Sequence, residues 1–91
     1  MIVDKVIVNN KAGLHAKPAS LFVQKANNSK SEIYIKKDAT RVNAKSIMGV
    51  MILAVQKGDE IQIEANGDDE KKAVEQLKQL IEDRFDFVDE V

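Results

Sequence analysis

The chain reads as an α+β domain of order βαββαβα, an open-faced sandwich in which three helices lie on one face of a four-stranded, mainly antiparallel sheet. Three observations lead there. Short runs at residues 2–8, 32–36, 40–43 and 60–65 are β-branched or alternate with period two, as strands do. Segments from Ala16 and from Asp68 onward space their apolar residues by three and four, as helices do. Each helix then has one apolar stripe and each interior strand one apolar face, and these stack most simply as two layers around one core.

Taken in order, residues 2–8 form a strand whose two faces both look apolar, which suggests cover on both sides. Residues 9–14 are a loop. A helix runs from Ala16 to about Asn27, with Pro18 in its first turn, where a missing N–H does little harm. Its stripe is Ala19, Phe22, Val23 and Ala26. In the second strand Ile33 and Ile35 face inward, and Lys37-Asp38-Ala39 turns the chain into the short third strand. Residues 47–53 are apolar without alternation and predict a short helix capped by Ser46, although Gly49 weakens its interior. After a turn at Lys57-Gly58-Asp59 comes the cleanest strand, with Ile61, Ile63 and Ala65 inward. Asn66-Gly67 turns again. The last helix is capped by Asp68 or Asp69, carries Glu70 in its first turn, and has the stripe Val74, Leu77, Ile81 and Phe85 supported by Ala73, Leu80 and Val88. Residues 87–91 are expected to fray. A right-handed crossover makes the first two strands parallel and leaves a gap between them for the fourth.

Composition narrows the function. Ninety-one residues make one domain spanning 1–91. With 14 basic and 15 acidic residues the formal net charge is −1, so there is no general attraction to nucleic acid. One Tyr, three Phe and no Trp give no row of stacking aromatics either. The absence of cysteine excludes disulfides and thiolate metal sites, and a single histidine leaves zinc without its usual ligands. No metal and no cofactor are therefore expected. No apolar run is long enough to span a membrane and no secretory signal core is visible, so the expectation is a cytoplasmic protein, with monomer the simplest state.

The one histidine, His15, lies in Gly13-Leu14-His15-Ala16-Lys17-Pro18-Ala19-Ser20. An ordinary reading makes it a loop-stabilising or capping side chain. A second reading follows from its position. Backbone N–H groups at a helix start favour anions, Lys17 adds a positive charge, and neutral imidazole is a nucleophile near physiological pH. Such a site can carry a phosphoryl group. No nucleophile elbow and no Gly-rich nucleotide loop accompanies it. A small-molecule-binding domain, a third possibility, has no pocket signature and leaves the motifs unexplained.

At these residues, and again at Val42-Asn43-Ala44-Lys45-Ser46-Ile47-Met48-Gly49-Val50-Met51, the chain resembles the HPr/Crh family, the histidine-containing phosphocarriers of the bacterial phosphoenolpyruvate:sugar phosphotransferase system. The likeness covers essentially the whole chain, and the family's element order is the one read above. The resemblance implies a carrier rather than an enzyme. Its His15 accepts phosphate from Enzyme I and passes it to EIIA domains. The family usually has arginine at the place of Lys17; lysine keeps the charge but loses the planar two-pronged contact with phosphate.

Ser46 is an N-cap on the plain reading. The resemblance adds regulatory phosphorylation there by HPr kinase/phosphorylase, after which the modified protein binds a catabolite regulator. A phosphate at a helix N-terminus is electrostatically acceptable. Ile47, Met48 and Met51 are either core or an exposed docking patch, and methionine suits a surface that meets several partners. By resemblance Leu14, Ala16, Ser20 and Leu21 border that patch. The competing family role is a Crh-like regulatory module acting through Ser46; that paralogue has its histidine replaced, whereas His15 is present here.

Overall fold

The computed structural model describes residues 1–86. Strand β1 is Ile2–Ile7, followed by helix α1, Ala16–Asn27, strand β2, Glu32–Lys37, and strand β3, Thr40–Asn43. Helix α2 is Ile47–Ile52, strand β4 is Glu60–Asn66 and helix α3 is Glu70–Glu82, with a 3-10 turn at Arg84–Asp86. The sheet order is β1-β4-β2-β3 and every pairing is antiparallel. β4 thus fills the gap between β1 and β2, which run parallel to each other, as the crossover requires.

Register explains the core. Val6 stands opposite Ile61, and Ile33 and Ile35 stand opposite Ala65 and Ile63, so one row of side chains points to the helices. All six are buried. Against them α3 packs on β1 and β4, and α1 packs on α2 and α3. Ala19, Phe22 and Ala26 of α1 and Ala73, Val74, Leu77 and Ile81 of α3 close the interior, while Val23 and Leu80 are half-buried at its margin.

Three expectations need correction, and one glycine gains a role that the sequence did not show. β1 is an edge strand with only one covered face: Val3 and Ile7 are 48% and 55% exposed on the sheet's open side. Its inward row includes Asp4, whose carboxylate accepts from Lys78 Nζ of α3 at 2.9 Å. Asp69 occupies the N-cap position of α3 but makes no capping bond. Its carboxylate instead accepts from Ser29 Oγ at 2.7 Å, from Ser31 Oγ, and from the amides of Lys30 and Ser31 at 3.1 Å, tying the loop after α1 to the start of α3. α3 ends at Glu82, and Phe85 reaches the core from the following turn through left-handed conformations at Arg84 and Phe85 (φ 53° and 62°). A continued helix would carry Phe85 on another path. Val88 and the expected fraying at 87–91 lie outside the described residues. Finally, Gly49 has a packing role inside α2. A Cβ there would lie 3.3 Å from the Asn43 carbonyl and 3.4 Å from Val42 Cβ, so glycine lets α2 sit close to β3.

Candidate phosphoryl-carrying site

His15 is the N-cap residue of α1, in extended conformation (φ −122°, ψ 158°), and its side chain makes no capping hydrogen bond. The imidazole is therefore not committed to closing the helix. It is half-buried and flanked by residues of opposite exposure. Before it, Leu14 is fully buried. After it, Ala16 is exposed and held at φ 52°, a left-handed conformation that a non-glycine residue adopts only when its surroundings impose it. Lys17 is exposed on the same turn. The first turn of a helix directs its N–H groups outward, and here the ring of Pro18 removes one of them.

The loop before His15 is locked from beneath. Asn10, fully buried, donates through Nδ2 to the Gly13 carbonyl at 2.9 Å, and the Gly13 amide donates back to the Asn10 carbonyl at 3.2 Å. The Leu14 amide donates to the Val55 carbonyl at 3.0 Å. Gly13 has φ 63°, and a Cβ there would fall 2.3 Å from the Val55 oxygen. Glycine is needed for both reasons. The result is a histidine projected from a rigid base beside a basic residue at a helix N-terminus. Such a base holds a nucleophile and keeps an anion site next to it.

Ser46 caps α2, as the sequence suggests: its Oγ accepts from the Gly49 amide at 3.1 Å. Lys45 beside it donates through Nζ to the Ser29 carbonyl at 2.8 Å, and Asn27 Nδ2 donates to the Lys45 carbonyl at 3.1 Å, so the end of α1 holds the start of α2. Of the apolar residues in α2 only Val50 is buried; Ile47, Met48 and Met51 are 41%, 73% and 46% exposed. They form an outward patch rather than core. Ile52, 70% exposed, belongs with them and was missed, because an unbroken apolar run does not show its face. Ser20 and Ala16 are exposed and Leu21 is half-buried on α1, the helix that packs against α2. Leu14 has no place in a docking surface, since its side chain is fully buried and serves as the anchor of the loop.

Asn10 and the segment around Val55 also escaped sequence reading; their roles arise only from tertiary contact. Among the described residues no group of His, Asp and Glu is placed to hold a metal ion. No helix there is long and apolar enough to cross a membrane. A cleft of about 350 Å³ opens beside Lys5, Lys37, Asp59 and Gln62, and His15 is not among its lining residues.

A helix-start histidine on a braced loop, in a layered βαββαβα fold, is chemically suited to holding a phosphoryl group on imidazole. Comparison with known proteins agrees. The family described as "PTS HPr component phosphorylation site" matches residues 2–83. The HPr-like protein Crh of Bacillus subtilis is 48% identical over 83 residues, covering 91% of this chain and 98% of its own. The phosphocarrier protein HPr of Treponema pallidum is 44% identical over 86 residues, covering 94% and 98%. Among solved structures, that of HPr-C-His from Thermoanaerobacter tengcongensis superposes with a TM-score of 0.94 at 46% identity, covering 97% of this chain and 99% of its own. The crystal structure of Bacillus subtilis Crh, a domain-swapped dimer, gives 0.73 at 48% identity, with coverage of 91% and 95%. The chain belongs to the HPr family of the phosphotransferase system, whose HPr members are named phosphocarrier proteins rather than enzymes.

Proposed function

We propose that this chain carries phosphate from Enzyme I to EIIA domains in the cytoplasm, on a ring nitrogen of His15. The observation that carries the reading is the imidazole at the head of α1, uncommitted to capping and projected from a buried, hydrogen-bonded loop. In the loading step the unprotonated ring nitrogen attacks phosphorus. A P–N bond forms as the bond from phosphorus to its donor breaks, and the donor keeps that electron pair. In the second step the imidazole is the leaving group. The N-terminal end of α1 and Lys17 stabilise the negative oxygens in both directions. Lysine holds them as a point charge, so Lys17→Arg should speed transfer from Enzyme I by adding a bidentate contact.

The exposed patch of Ile47, Met48, Met51 and Ile52, with Ser20, Ala16 and Leu21, is the docking surface in this reading. Ser46 at its edge is the regulatory site, where phosphorylation by HPr kinase/phosphorylase would place a dianion beside the patch and recruit a catabolite regulator. The similarity to Crh proteins supports this regulatory role as the second reading, and the presence of His15 supports the carrier as the first. Relatives described as dimers, the swapped Crh and an HPr of Thermoanaerobacter tengcongensis, leave the expectation of a monomer without support, and sedimentation of this chain decides between monomer and dimer.

The test is incubation with Enzyme I and phosphoenolpyruvate, followed by mass spectrometry of the wild type and His15→Ala. An acid-labile phosphoryl adduct in the wild type alone supports the carrier. Equal labelling of both proteins, or of neither, rejects His15 as the acceptor.

A further inference from the structure

Residues 53–59, which lead from α2 to β4, form a strap across the end of the sheet where β1 and β2 finish and β4 begins. On its inner side the Val55 carbonyl accepts the Leu14 amide. The Val8 amide donates to the Asp59 carbonyl at 2.9 Å and the Gly58 amide to the Val8 carbonyl at 2.7 Å. The strap therefore grips both ends of the loop that leads to His15.

One side chain grips the strap in turn. Lys37, the last residue of β2, donates through Nζ to the carbonyls of Leu53 and Ala54 at 3.3 and 3.0 Å. The same nitrogen is 3.1 Å from Asp59 Oδ2, and that oxygen also accepts the Gln56 amide at 2.8 Å. An ammonium has three donors, and three acceptors surround this one, so Lys37 is engaged by the strap rather than by the open cleft that it borders. The placement suits a cation. Leu53 is the C-cap of α2 and Ala54 the residue after it, so both carbonyls lie past the helix end, where no intrahelical donor reaches them. Ala54 is held there at φ 53°, which its own residue type does not favour.

We infer that Lys37 is a positioning residue for phosphoryl transfer: its ammonium clamps both ends of the 53–59 strap, which fixes the Leu14 backbone beneath His15 and the end of the docking helix α2. The inference rests on the reading of His15 as the carrier. It assigns a single residue to keeping the reactive ring and the partner-facing patch in one mutual arrangement. Misplacement of a reacting group by a fraction of an ångström up to about 1 Å costs up to about a hundredfold in rate.

Lys37→Met keeps the aliphatic stem and removes the ammonium. The control is Lys78→Met, which removes a lysine of α3 bonded to Asp4 of β1 and not to the strap. Two quantities are read on the full chain, at a temperature where circular dichroism shows every variant folded. They are hydrogen exchange of the Leu14 amide and single-turnover transfer from phosphorylated Enzyme I. Lys37→Met should exchange Leu14 faster and transfer about tenfold more slowly. Lys37→Arg should recover part of both, Asp59→Asn should shift both in the same direction by less, and Lys78→Met should change neither. Leu14 exchange and transfer in Lys37→Met equal to those of Lys78→Met would overturn the inference, as would slow transfer with unchanged Leu14 exchange. Wild type that takes no phosphate from Enzyme I would instead reject the carrier reading, and the Leu14 exchange would still decide whether Lys37 holds the loop.

Discussion

Replacing Gly13 by alanine probes the base on which His15 stands. The new Cβ would lie 2.3 Å from the Val55 oxygen and 2.9 Å from Gln56 Cα, against a closest real approach near 3.0 Å. The strap must retreat by about 0.7 Å, and these contacts are backbone, which cannot swing aside as a side chain does. Two terms add. Holding alanine at φ 63° costs about 1–2 kcal/mol. Stretching the Leu14–Val55 hydrogen bond in a buried setting costs about 1–3 kcal/mol. The expected loss is about 2–5 kcal/mol, or a fall in Tm of roughly 8–40 °C for a domain of this size. Gly58 supplies the control: it too has a left-handed φ, 95°, but a Cβ there meets nothing within 4 Å. Gly58→Ala should lose only the backbone term, about 1–2 kcal/mol. Urea unfolding of both variants, with transfer from Enzyme I measured on the folded protein, isolates the strap contact. Equal destabilisation by the two substitutions, or normal transfer in a folded Gly13→Ala protein, would refute the bracing role of Val55.

Met48, 73% exposed, should accept glutamate with little change in urea midpoint, while phosphorylation by Enzyme I slows at limiting concentrations and recovers when the partner is in excess. Ser46→Ala removes the acceptor for the Gly49 amide and should cost about 1 kcal/mol in denaturant unfolding; Ser46→Asp should recover most of it. Hydrogen bonds from Ser31 first, then Ser29 and the Lys30 amide, hold the Asp69 carboxyl well below the usual carboxylate range. A depressed carboxylate contributes stability that is present above its unfolded pKa, about 3.9, and is lost as pH falls through the folded value. Asp69→Asn should therefore be less stable than wild type at pH 7, with the gap narrowing below about pH 4. A gap independent of pH would show that the carboxylate's charge plays no part.

Alternation and helical spacing made the layers legible because each strand and helix has one wet and one dry side, and the packed register uses those sides. Ile61 and Ile63 could be placed before any contact was known. Position along the chain also exposed His15, since a helix start is written in local sequence by the polar loop before Ala16 and by Pro18. Leu14 misled for a physical reason: an apolar residue beside a functional one can face a partner or anchor a loop, and spacing alone does not distinguish them. Phe85 fits the helical stripe of Ile81, four residues earlier, but left-handed residues outside glycine leave no mark in composition. Lys37 was unreadable, as its acceptors lie sixteen to twenty-two residues away and become neighbours only when β2 and the strap meet at one end of the sheet. The edge position of β1 was hidden because its exposed Val3 and Ile7 look like core.

A carrier histidine must both receive and give up phosphate. This is tested most directly by purifying the phosphorylated protein, removing Enzyme I, adding an EIIA domain and following the phosphohistidine signal by phosphorus NMR. If His15 is the carrier, its signal disappears as an equal amount appears on the EIIA domain, with no free phosphate released in step. A phosphohistidine that persists beside the acceptor, or that decays only to inorganic phosphate, would contradict it.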